Sequence, residues 1–132
     1  VSNWDAELLV TQLSDLGRAL DKEVKHLGVL DEKAVDAEGD YRRLDEEHQD
    51  RMAEEFLKLE GSVEARKMQA RLKARPARLV AEDAWLEWKR ASAKLRTQQA
   101  SIQAIHRRIE IGRSMLSREK TLIGLMNSGV DT

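Results

Sequence analysis

The sequence predicts an all-α protein: a long antiparallel helical hairpin with a coiled-coil seam, associating with itself into an oligomeric bundle. Three observations predict it. Apolar residues recur at spacings of three and four over most of the chain, a period that fits helices and not strands. Charged residues make up 36% and aromatics 4%, with a single proline, a balance typical of long helices rather than of a bulky core. Charge is also divided along the chain. Residues 1–60 hold 17 acidic and 8 basic side chains, and residues 61–132 hold 7 and 15, so a formal net charge of −1 hides an acidic arm and a basic one. Opposite arms attract, within one chain or between chains. The length, 132 residues, has room for one helical domain, and a narrow apolar seam predicts self-association.

The first arm, residues 3–60, begins at Ser2 or Asn3, either of which can cap exposed backbone N–H groups. Its apolar line runs Leu9, Leu13, Leu16, Leu20, Val24, Leu27 and Leu30, then through Ala34, Ala37, Tyr41, Leu44, His48, Met52, Phe56 and Leu59. Gly28 followed by Asp31 predicts a break near 28–31, since glycine favours the residue after a helix and aspartate the cap before one. Gly17, Gly28 and Gly39 recur every eleven residues, near one helical stripe. Either another helix approaches there, or the spacing is chance combined with one helix end.

A basic tip, residues 61–78, follows. Gly61 would end the first arm and Ser62 cap a short helix over 63–75, which Pro76 would interrupt. The last helix, residues 79–126, has the cleanest pattern. Ala81, Ala84, Trp88, Ala91, Leu95, Gln98, Ile102, Ile105, Ile109, Gly112 and Leu116 alternate three and four without a slip. This is an a/d heptad seam, and Gln98 is the polar residue that can set its register or oligomer state. Trp88, Leu95, Gln98, Ile102, Ile105, Ile109 and Leu116 are the expected oligomer or hairpin seam. Asn127, Ser128 and Gly129 would end the pattern.

Catalytic signals are absent, and the chain reads as a non-enzyme with no cofactor. There is no glycine-rich phosphate loop and no cysteine, so nucleotide chemistry, disulfides and thiol chemistry drop out. Glu23-x-x-His26 and Asp45-x-x-His48 have the i,i+3 spacing of bundle metal ligands. The last-helix seam lacks the inward carboxylates such a centre needs, so no metal site is expected. No long uncharged apolar run is present, which predicts no membrane span and a cytoplasmic protein.

The functional argument lies in the cations. Arg66, Lys67, Arg71, Lys73, Arg75 and Arg78 occupy a stretch without an acid between Ala65 and Ala81. Lys89, Arg90, Lys94, Arg96, Arg107 and Arg108 form a second such group between Trp88 and Ile109. Phosphate binding needs several cations within reach of one backbone. The second group is readily neutralised by the acidic arm, so the tip is the better candidate. The tip cations also admit a plainer reading, in which they solvate the helix and pair with that arm. Trp85 and Trp88 can stack on bases, but Trp88 lies on the seam and Trp85 borders it, which favours packing.

Tyr41, the Glu60-Gly61-Ser62-Val63 turn, Arg66-Lys67, Trp88-Lys89 and the run from Ile102 to Ser114 are similar to small helical bacteriophage proteins. Over residues 35–120 the layout resembles that of the phage recombination mediators typified by UvsY. The resemblance implies a homo-oligomer that binds single-stranded DNA and helps load a recombinase, acting in the cytoplasm of a bacterial host. It assigns no individual residue, and the six tip cations rest on charge density alone. The alternative expectation is a coiled-coil interaction or assembly factor, structural or host-interacting, whose partner is another protein.

Overall fold

Three helices account for the protein in a computed structural model that describes residues 3–130, with side chains for residues 6–126. They are α1 (Asn3–Lys58), α2 (Val63–Lys73) and α3 (Arg75–Val130), and there is no strand among the described residues. The expected cap at Ser2 lies outside the described residues. No helix among the described residues is long and apolar enough to cross a membrane.

The expected break at 28–31 is absent, because α1 runs unbroken through Gly28 and Asp31. A glycine that ends a helix takes a positive φ, and Gly28 does not; among the described residues only Gly61 does, at 112°. Leu27, Leu30 and Ala34 keep the buried stripe in phase across the segment, and Gly28 lies on an exposed face. The cost is only the weak helix propensity of glycine, about 1 kcal/mol, which continuous packing offsets. The real stop comes at Lys58. Gly61 turns the chain, and the Ser62 hydroxyl accepts from the Ala65 N–H at 3.2 Å to cap α2.

The junction between α2 and α3 also differs from expectation. A proline ring at position 76 would meet the carbonyl of Leu72, so the ladder opens before it, at Ala74. Pro76 then falls in the first turn of α3, where its missing N–H costs nothing. Ala74 donates to Ala70 O at 2.9 Å and Arg78 to Ala74 O at 3.0 Å, so the turn is nearly helical. At its other end α3 continues through Asn127, Ser128 and Gly129 instead of stopping there.

The chain divides into two compact units. A terminal unit joins residues 1–28 to residues 96–132, and a central unit is the continuous stretch 29–95. In the terminal unit the α1 and α3 segments run antiparallel, with Leu13 against Gly112 and Glu23 against Gln98. Among the described residues its buried side chains are Gln98, Ile102 and Ile109, with Ile105 and Leu116 half-buried beside them. In the central unit α1 pairs antiparallel with α2 and the start of α3. Ala70, Ala74 and Ala81 are buried there with Leu30 and Ala34.

Candidate functional site

The inward stripe of α2 fixes which of its cations face outward. Ala70 and Ala74 are buried, Ala74 completely (0% exposed), so the opposite side of the helix is presented to solvent. Lys67 and Arg71 are exposed along one flank of the buried stripe, one turn apart, with Met68 and Leu72 on the side facing away from it, and Arg75 and Arg78 continue the basic flank across the Ala74 turn. Together with Met68 and Leu72 these four cations line a groove of about 420 Å³ in which Glu64 is the one acid. Met68 and Leu72 are 67% and 64% exposed, so the face alternates charge with apolar bulk. Arg71 in the last turn of α2 also complements the negative end of the helix dipole.

The six cations singled out in the sequence therefore divide into four and two. Arg66 turns toward α1, where its guanidinium sits 4.2 Å from the Phe56 ring centroid and donates to Phe56 O at 3.4 Å. Lys73 pairs with the Glu55 carboxylate at 3.7 Å. Arg78 reaches Glu82 in its own helix at 3.6 Å. Lys67, Arg71 and Arg75 make no ion pair among the described residues.

Neutralisation of the basic half by the acidic arm is not how the charges are arranged. Among the described residues Lys73–Glu55 is the one ion pair joining two helices; the others, such as Arg42–Glu38 and Arg90–Glu87, bridge i to i+3 or i+4 within one helix. Lys94, Arg96, Arg107 and Arg108 are exposed and make no ion pair among the described residues.

A second groove, about 500 Å³, lies between the end of α1 and α2 and is mostly apolar. Met52, Ala53, Phe56 and Leu57 line it, and Lys67 and Arg71 form its rim as well as that of the cationic groove.

The seam residues of α3 fall on one face. Gln98, Ile102 and Ile109 are buried, while Trp88, Leu95, Ile105 and Leu116 are half-buried. Trp88 stacks on Tyr41 with ring centroids 5.6 Å apart, and the Lys89 ammonium lies 4.5 Å from its centroid. Trp88 is thus occupied by packing, while Trp85 is partly exposed. Gln98 donates to the backbone oxygen of Glu23 at 2.9 Å and also to the Glu23 carboxylate. The apolar line of α1 shifts at this point. Val24, expected on the seam, is 48% exposed, and half-buried Glu23 takes the inward slot opposite Gln98.

Among the described residues no group of three or more histidine, aspartate or glutamate side chains is gathered to hold a metal. His26 is exposed, and His48 is half-buried in a shallow groove beside Tyr41 and Trp85. Gly17, Gly28 and Gly39 have open space where a Cβ would project, with nothing within 4 Å among the described residues, so the helix approach expected along that stripe is not found there.

Comparison with protein-family models, curated proteins and solved structures finds no match for this chain. The fold and the grooves are the ground for a functional reading.

Ala70 and Ala74, the residues that orient the basic face, were not among the sequence candidates. The signal was present: Ala70, Ala74, Ala77, Ala81 and Ala84 continue the three–four alternation of the α3 seam backward across the turn.

Proposed function

We propose that the chain is a non-enzymatic accessory protein of DNA recombination or replication, of the phage type its sequence resembles. It binds single-stranded DNA through phosphates along the outer face of α2 and the start of α3. In this reading the apolar stripe of α3 works as a coiled-coil seam, the chain acts as a homo-oligomer, and a bacterial host cytoplasm is its setting. The observation that carries it is the shared groove of Lys67, Arg71, Arg75 and Arg78, three of which make no ion pair among the described residues. Lys67, Arg71 and Arg75 recur every four residues, about 6 Å along a helix, so one strand backbone can meet them in succession. No aromatic lines this groove, so contacts are to phosphate and sequence preference is weak.

Fluorescence anisotropy with a labelled single strand tests this. Wild type is expected to bind at low salt, Lys67→Glu/Arg71→Glu/Arg75→Glu to lose binding, and Lys73→Glu to keep most of it. Absence of wild-type binding even at low salt would overturn the reading.

One observation favours a second reading. The apolar groove of Met52, Ala53, Phe56 and Leu57, rimmed by Lys67 and Arg71, suits an amphipathic acidic helix of another protein. That would make the chain an interaction or assembly factor. Its binding would tolerate salt and fall on Leu57→Glu, which leaves the cationic groove intact.

A further inference from the structure

The C-terminal half of α3 carries two adjacent apolar lines, and α1 covers only one. The covered line contains Ile102 and Ile109, buried, and Gly112, against which Leu13 packs. The second line runs Ile111, Met115, Leu122 and Met126, spaced by four, seven and four. All four are exposed, Ile111 at 60% and Met115 at 48%. A helix with so broad an apolar face packs between two neighbours, as in a four-helix bundle. Ile111 and Met115 form one edge of an apolar groove of about 530 Å³ whose lining also includes Leu13, Leu16 and Gly112.

From these features we infer that this groove of the terminal unit is the contact for a second copy of the chain, in a two-fold arrangement. The Ile111–Met115 ridge of each copy enters the groove of the other. The inference rests on the self-association included in the proposed function, and adds the face that makes it. Charge specifies the occupant. Asp15 stands on the α1 wall of the groove and Arg108 on the α3 wall. A two-fold axis repeats one patch on both partners, so the Arg108 that accompanies an entering ridge meets Asp15 on the far wall. Asp15 already engages Arg18 one turn along α1, and a carboxylate has acceptor sites for both.

Sedimentation velocity of the full chain over a range of concentrations tests the inference, with far-ultraviolet circular dichroism to follow folding. Wild type is expected to be a dimer or a multiple of one. Ile111→Glu/Met115→Glu should raise the dissociation constant about a hundredfold or more with helicity retained, since both positions are exposed within one chain. Asp15→Arg should weaken association, and Asp15→Arg/Arg108→Asp should restore it, which decides the matter even if the glutamate variant unfolds. An oligomer untouched by the glutamate pair, or a charge swap that fails to restore association, would overturn this face alone. A wild type monomeric at every concentration would overturn both this face and the self-association it rests on.

Discussion

The two units solve the same packing problem with different side chains. The terminal unit fills its seam with branched aliphatics, Ile102 and Ile109, and includes one polar contact, Gln98 to Glu23. The central unit buries alanines, at 70, 74 and 81, and adds the Tyr41–Trp88 stack. Alanine keeps an inward stripe narrow and lets helix backbones approach closely. In α2 that leaves most of the circumference exposed, and there the sequence puts Lys67, Met68, Arg71 and Leu72. In the terminal unit the apolar face of α3 is wider than one partner helix can cover. A narrow seam thus presents a surface for charge, while a broad one leaves apolar area uncovered within the chain.

Substitutions can break this contrast, and each is best measured by urea denaturation at one fixed protein concentration, because association would stabilise the folded form. The largest effect is expected for Ile109→Ala in the terminal unit. It removes most of a buried side chain, and a loss of about 3 kcal/mol is expected. Ala74→Leu attacks the central unit in the opposite way, by overfilling a site with no exposed surface. About 2 kcal/mol should be lost as α2 is pushed off α1. A central unit indifferent to Ala74→Leu would show that the alanine line is not tightly packed.

Gln98→Ala should cost less, about 1 kcal/mol, since it removes the donor to Glu23 while the half-buried carboxylate keeps access to water. The smallest effects sharpen the comparison most. Gly39→Ala, in the central unit, meets open space and should stabilise by roughly 0.5–1 kcal/mol through helix propensity. Gly112→Ala should gain little or nothing, because its Cβ would lie 2.7 Å from the Leu13 Cδ2 and that side chain must move.

Much of this architecture was legible from periodicity. Every predicted seam position of α3 from Ala81 to Leu116 is buried or half-buried, because the heptads trace the covered line of the helix, while the second line of Ile111, Met115, Leu122 and Met126 falls outside those positions. The exception on α1 is Val24, where hydropathy favoured valine while the polar partner Gln98 selected Glu23. Residue preferences misled at Gly28–Asp31, since stop and cap signals are worth about a kilocalorie each and continuous packing outweighs them. In the tip, charge density could not separate Arg66 and Lys73 from the other four. Helical phase separates them, but its reference line is alanine, whose weak hydropathy hid it.

In the proposed function the basic face of α2 and the start of α3 bind a single strand through phosphates. The most direct test is the slope of log affinity against log salt for a single strand. Four cations engaged per chain predict a slope of about −3, falling toward zero when Lys67, Arg71 and Arg75 are reversed. A wild-type slope near zero, or no binding at low salt, would contradict the account.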